Sequence, residues 1–383
     1  MAGCFCFSSV LAAGKIIIQP KIYTGFEHNS NFWKAEDQEV SVNTYSAKPG
    51  IVLGLETPKA EVSLDATMDM YWYDDLDTPP PSVRNAGDDD YVGATALFKS
   101  NYQISDRLNL GLGDEFYITR DPAWSDSNSN SITRDKYAIN YFEPSAYYEI
   151  SGKFGLLTKY RNTYTDYEKD LEDSNEHRGI FDLYYNLNRS SAAYLDYSVW
   201  QRAYDQDSAD YTSNFVSLNY QQQLNYFTIK GGAGYHHRSF DDSSMNEMDR
   251  FSWKIQLKGQ DTETTRKNTR SYLSLDIGQK MNDDGTNNNY YTATYVRFEG
   301  AYKFIDKLEG LIKADYQNSD YDTGIRNEDT YRFSAGLAYQ VWEYITLGIE
   351  GGQENRDSNI AGNDYDDTFV MFTMNFEYDL GSR

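Results

Sequence analysis

Residues 60–73 alternate between apolar and polar side chains. Val62, Leu64, Ala66, Met68, Met70 and Trp72 fall on one face of an extended chain, and Glu61, Ser63, Asp65, Thr67, Asp69 and Tyr71 on the other. Successive side chains of a strand point to opposite faces, so this segment separates an apolar phase from an aqueous one. It is also longer than the soluble norm of about 5–6 residues. The pattern returns at 251–258, where Phe251, Trp253, Ile255 and Leu257 oppose Ser252, Lys254, Gln256 and Lys258. It returns again at 331–340 and 344–350, and the chain closes on Val370, Phe372, Met374, Phe376, Tyr378 and Leu380 in alternation with polar residues.

About 18 strands follow from this pattern, an even number as a single-chain barrel requires. They are predicted over 15–27, 43–56, 60–73, 91–104, 108–120, 137–150, 154–167, 178–187, 192–204, 211–220, 224–238, 250–258, 270–280, 290–304, 308–320, 329–340, 344–354 and 367–380. The connections alternate in length. Short turns such as Thr57-Pro58-Lys59, Ser105-Asp106-Arg107 and Ser151-Gly152-Lys153 are followed by long polar loops such as 28–42, 74–90, 121–136 and 355–366. One stretch breaks the rule, 259–269, where a short turn is expected. Short turns on the periplasmic side and longer, acidic loops outside are the habit of outer-membrane barrels. The expected fold is therefore all-β: a closed antiparallel transmembrane β-barrel over 15–383. A stacked β-helix would not alternate its connections in this way, and a sandwich would use shorter strands.

Composition sharpens the picture. Hydrophobic residues are only 39% and mean hydropathy is −0.73, yet aromatics reach 16% with 35 tyrosines. A disordered acidic chain would be poor in aromatics, whereas a barrel wall needs one apolar face, one wet face and aromatic belts. No stretch after residue 18 has the roughly 20 apolar residues of a spanning helix. A net charge of −24 argues against nucleic acid as a partner. Residues 1–14 resemble the end of a secretory signal, an apolar run meeting Ala12, Ala13 and Gly14, although a basic n-region is missing. Met1-Ala2-Gly3-Cys4 also fits a lipoprotein signal. The only cysteines, Cys4 and Cys6, lie in this remnant.

Lys48-Pro49-Gly50-Ile51-Val52-Leu53-Gly54-Leu55 running into the strand that ends at Trp72-Tyr73-Asp74, the segment Leu156–Tyr167, and the closing 367–380 strand together resemble the putative beta-barrel porin type 2 family. The resemblance spans the mature chain and rests on pattern and spacing. It implies an outer-membrane barrel, with exopolysaccharide export as the association of several members. The chain departs from common barrel habit in ending Gly381-Ser382-Arg383 after Leu380.

The wet face supplies the candidate pore-lining charges. Lys159, Arg161, Arg202, Lys230, Arg238, Lys254, Arg297 and Arg332 fall on the middle strands, and Glu61, Asp65, Asp69, Glu143, Glu350 and Glu377 mostly on strands nearer the ends. Closing the barrel brings the ends together, so an acidic wall should face a basic one and set a field across the lumen. The competing reading is that these charges pair across neighbouring strands. Wet-face aromatics, among them Tyr71, Tyr73, Tyr117, Tyr141, Tyr194 and Trp200, could stack on sugars or simply belong to the interfacial girdle. Acidic loop clusters such as Asp88-Asp89-Asp90 lack the spacing of a calcium loop and read as a solvated face. Gly231-Gly232-Ala233-Gly234 lies inside a strand pattern, so it reads as close packing and not as a phosphate loop. Of four histidines, His236 sits beside Arg238 and near Lys230, a poor setting for a general base.

The functional expectation is a non-enzymatic pore in the outer membrane of a Gram-negative bacterium. It passes hydrophilic solutes or forms the outer-membrane channel of polysaccharide export. A non-conducting adhesive or structural barrel and a rim-located hydrolase are the alternatives. No cofactor and no metal site is called for. The expected partners are outer-membrane lipid and lipopolysaccharide, the barrel assembly machinery, and polysaccharide or small hydrophilic solutes.

Overall fold

The computed structural model describes residues 14–79, 83–121, 134–169, 172–206, 208–259, 270–283, 290–322 and 324–381. The signal-like residues 1–13, the irregular stretch 260–269 and Asp284 of one acidic loop lie outside the described residues.

Eighteen strands form one sheet in which each pairs antiparallel with its sequence neighbours, and β1 pairs with both β2 and β18. The sheet is thus closed, the arrangement that leaves no edge to be satisfied by lipid. The strands are β1 (Lys15–Asn29), β2 (Val42–Glu56), β3 (Ala60–Asp75), β4 (Tyr91–Ser105), β5 (Leu108–Thr119), β6 (Tyr137–Glu149), β7 (Phe154–Tyr167), β8 (Ser174–Asn186), β9 (Ser191–Tyr204), β10 (Tyr211–Gln223), β11 (Phe227–Phe240), β12 (Met248–Gly259), β13 (Ser271–Asp283), β14 (Tyr290–Ile305), β15 (Leu308–Tyr321), β16 (Asn327–Trp342), β17 (Ile345–Ser358) and β18 (Tyr365–Glu377). The predicted strand count and order hold. The largest boundary differences are at β8, which begins at Ser174 and not at 178, and at β17, which ends at Ser358 and not at 354.

Facing follows the alternation. Met68, Trp72, Leu337, Ile349, Phe372 and Leu218 are among the exposed large apolar side chains of the outer wall, while Asp69 on the opposite parity is buried. Two ladders are interrupted at prolines, β2–β3 at Pro49 and β6–β7 at Pro144, because proline has no N–H to donate. Beyond Glu377 the chain still donates to β1, from Tyr378 N to Pro20 O at 3.1 Å and Leu380 N to Ile18 O at 2.9 Å. The unusual C-terminus therefore extends the seam.

The two ends of the barrel differ. One carries tight turns, for example Thr57–Ala60, closed by Thr57 N donating to Ala60 O at 2.7 Å. The other carries the long loops, two parts of which fold inward. The β1–β2 loop packs Phe32 and Val40 with Val42 and Ala86 in a buried cluster against Tyr73 and Trp33. The second is the loop end of the β13–β14 hairpin. Pairing of β12 with β13 stops at Trp253–Gln279, and beyond it Met281, Tyr290, Tyr291, Thr292 and Ala293 are all buried, on both faces of the hairpin. Tyr290 packs on Phe240 and Tyr211 and donates to Ala209 O at 3.1 Å. Behind it, Arg250 of β12 forms an ion pair with Asp322, just after β15.

Candidate pore site

A cavity of about 1050 Å³ lies inside the barrel against β4–β14. Six of the fourteen charges expected to line the pore meet there: Glu143, Arg161, Arg202, Lys230, Arg238 and Lys254. The strand registers explain how residues so distant in sequence converge. Arg161 on β7 lies opposite Arg178 on β8, Arg178 opposite Trp200 on β9, Trp200 opposite Ser213 on β10, and Ser213 opposite Arg238 on β11. Directly opposed positions share a face, so five neighbouring strands present one lumenal row. Lys254 stands opposite Gly232, and Lys230 opposite Gln256, nearer the turn end on β11 and β12.

Aromatic rings hold the guanidinium planes of this row. Arg178 lies 4.1 Å from the Trp200 ring centroid, and Arg238 lies 4.0 Å from that of Tyr211 and 5.1 Å from that of Tyr290. Stacked guanidinium keeps its N–H edge available for a planar acceptor. Arg178 also pairs with Glu176 at 3.0 Å, and Arg238 Nε donates to Ser213 Oγ at 3.0 Å. Several buried polar atoms of the cavity wall have no partner among the described residues: Arg178 Nε, Trp200 Nε1, His236 Nε2 and Arg238 Nη1. His236 is wedged between Trp200 and Phe215, a stacked position with two arginines beside it. Gly111, Gly113, Gly232 and Gly234 contribute no side chain to the lumen. At Gly232 a Cβ would run into Asn219 Oδ1, so the glycine run of β11 is close packing, as its place within a strand implies.

The other eight candidates do not reach this cavity. Lys159 shares Glu143 with Arg161, at 2.9 and 2.5 Å. Asp65 pairs with Lys21 at 2.5 Å, Asp69 accepts from Thr95 and Thr67, and Glu377 accepts from Gln19 at 2.5 Å. Arg297 pairs with Asp315 at 2.8 Å, Arg332 with Glu354 at 3.1 Å, and Glu350 with Lys313 at 2.9 Å. Glu61 faces Glu56 and Asn101 across its neighbouring strands. The expected opposition of one acidic and one basic wall is therefore corrected. Around β14–β18 and β1–β3 the charges are largely consumed in cross-strand pairs, and acids such as Glu143 and Glu176 also stand on the basic side.

The β1–β2 loop completes the contrast. Its Lys34, in a left-handed turn with φ 53°, donates to Glu354 at 2.6 Å, and Tyr365 donates to the same carboxylate. Burial pulls the Lys34 ammonium below the usual lysine range, and Glu354 opposes that shift. Arg134 lies 4.1 Å from the Phe32 ring centroid and donates to Phe32 O at 3.1 Å. The mouth-side aromatics behave as packing: Tyr71 stacks on Tyr91 at 4.9 Å, and Tyr73 joins the Phe32 cluster. Tyr141, Tyr194 and Trp200 instead line the cavity.

Sequence reading missed Arg178 and Glu176. The available signal was the outward alternation of Phe181, Leu183 and Tyr185, which runs back to put Arg178 and Glu176 inside once β8 starts at Ser174. Among the described residues no group of three or more His, Cys, Asp or Glu could hold a metal ion.

Residues 230–378 match the family model "Putative beta-barrel porin 2". That segment runs from within β11 to the closing strand and agrees with the resemblance read from the sequence. No curated protein matches the chain. Among solved structures, Pseudomonas aeruginosa OpdK with vanillate is 11% identical, covers 95% of this chain and 99% of its own, and has a TM-score of 0.53. Pseudomonas aeruginosa OccK9 (OpdG) is 11% identical, with coverages of 95% and 98% and a TM-score of 0.52. OccK2 (OpdF) of the same organism, in complex with glucuronate, is 10% identical, with coverages of 95% and 98% and a TM-score of 0.52. At such identities the likeness is one of fold, a porin-like barrel. The family match over 230–378 and the fold likeness together describe a porin-like barrel.

Proposed function

We propose that the chain is an outer-membrane pore for hydrophilic solutes and that its cavity favours anions. The observation that carries this reading is the lumenal row Arg161–Arg178–Trp200–Arg238, with Lys254 and Lys230 below it, bordering one cavity of about 1050 Å³. Fixed cations beside a water-filled path raise the local concentration of anions. The porin-like fold and the family match support the outer-membrane location. In that setting the turn end is periplasmic, the long loops are outside, and lipid, lipopolysaccharide and the assembly machinery are the partners. Two solved neighbours are known with carboxylate ligands, vanillate and glucuronate, which agrees with an anionic cargo. A polysaccharide cargo, as in export, is the second reading. It is favoured by Tyr141, Tyr194 and Trp200 on the same wall, since rings with polar tips suit sugar faces.

Planar-bilayer recording on the purified barrel tests the proposal. The expected result is stepwise conductance with a reversal potential on the anion side at low salt. A soluble acidic oligosaccharide that blocks this current more strongly than a neutral one of equal length would favour the second reading. Absence of any conductance would overturn the pore and leave a structural or adhesive barrel.

A further inference from the structure

Among the described residues, the outer wall carries one carboxylate near mid-height, where a lipid-facing wall should carry none. Asp114 of β5 points outward between Leu112 and Phe116, on the parity of the exposed Leu110 and opposite to Glu115, which lines the cavity. It lies six residues from Leu108 at the turn end. At about 3.4 Å per residue and a tilt of about 40°, that is about 15 Å up a band about 25 Å tall. The corresponding outward positions of the other described strands near mid-height are apolar, aromatic, glycine, proline or neutral polar residues, such as Ala66 on β3, Tyr197 on β9 and Gly351 on β17.

Asp114 is also not isolated. Its register partners run Phe142 on β6, Asn162 on β7 and His177 on β8. With strands about 4.8 Å apart, the row is about 14 Å wide. Asn140 Nδ2 donates to Asp114 Oδ1 at 2.6 Å, and Tyr160 Oη lies 2.6 Å from His177 Nδ1. One amide bond leaves a carboxylate with most of its acceptor capacity unused, and hydrocarbon supplies no donor.

We infer that the outward face of β5–β8 is the contact surface between two copies of this chain in the membrane. This rests on the membrane location proposed above. Only a protein embedded at the same depth can reach Asp114. A second copy brings complementary chemistry, with a carboxylate at one edge of the row and amide, hydroxyl and imidazole groups at the other. A closed symmetric pair meets through the same patch on each subunit. Packing Asp114 against the partner's polar edge removes it from lipid.

The test uses the full chain with Cys4 and Cys6 replaced by serine, oxidised in native outer membranes. Asn162→Cys should give a dimer-sized disulfide product, and Ile349→Cys, exposed on the far wall, should not. Barrels reconstituted in lipid nanodiscs should show twice the single-chain mass by light scattering, falling to the single-chain value with Asp114→Leu. Asp114→Asn should keep the pair. Removing a charge from an apolar band does not threaten folding, and heat-resistant mobility of Asp114→Leu checks this directly. Single-chain mass before substitution, equal cross-linking at both cysteines, or a mass indifferent to Asp114→Leu would each overturn the inference. Membrane fractionation of the same samples shows separately whether the outer-membrane reading has failed.

Discussion

The lumen has two halves built from the same kinds of residue and used differently. Around β14–β18 and β1–β3, Arg332, Glu354, Lys34, Asp315 and Arg297 are tied into one another, and the β1–β2 loop is folded over them. Around β5–β12, arginines stack on Trp200 and Tyr211, and Arg178, Trp200, His236 and Arg238 each keep a polar atom with no partner among the described residues beside an open cavity. Charge content alone does not make a conducting wall. What separates the halves is how far pairing goes: Arg297 and Arg332 lie in register with Asp315 and Glu354, whereas Arg238 and Lys254 lie opposite Ser213 and Gly232, although Glu143 still pairs with Arg161.

The strongest way to break the contrast is to remove the hub of the packed half. Glu354→Ala removes the carboxylate that Lys34 pairs with and leaves Arg332 the longer contact to Asp315 at 3.6 Å, and breaking such a largely buried set costs about 3 kcal/mol. Denaturant unfolding in detergent micelles should show that loss, and a loss below about 0.5 kcal/mol would mean the network is surface-like.

A smaller effect is expected from adding a side chain to lumenal glycines. In the packed half a Cβ at Gly25 would meet Ser46 Oγ at 2.7 Å, whereas at Gly113 the nearest atom is Glu143 O at 3.9 Å. Gly25→Leu should cost about 1–3 kcal/mol by overpacking. Gly113→Leu should unfold nearly as wild type does while lowering single-channel conductance. Equal stability losses would erase the distinction between the halves.

The smallest effect in energy is the most informative for function. Two unit charges about 8 Å from an ion path in water are worth about 1 kcal/mol, or about five-fold in partition. Arg178→Gln with Arg238→Gln should therefore move the reversal potential toward cations at 0.01 M salt, where screening acts over about 30 Å. The shift should shrink at 1 M, where screening acts over about 3 Å. Arg297→Gln with Arg332→Gln, in the packed half, should move it much less. Similar shifts from both pairs would show that the pairing does not matter to the permeating ion.

Much of this architecture is legible in the chain. Alternation with period two names the strands, their inner and outer faces and the alternating loops, because oil and water on opposite sides of one wall leave a signature every second residue. Lys230, Arg238 and Lys254 could be assigned to the lumen from that signature alone. The pairing of Arg332 with Glu354, the burial of Lys34, the inward lean of Tyr290 and the alignment of Arg161, Arg178 and Arg238 could not. Each depends on strand register and loop path, which join residues on different strands. Composition records neither, since a slip of two residues preserves every face and changes every partner. The sequence by itself determined that this chain is a closed wall with a wet interior. Only the tertiary structure decided which interior charges neutralise one another and which remain beside open space, because that depends on which residues of neighbouring strands come to lie side by side.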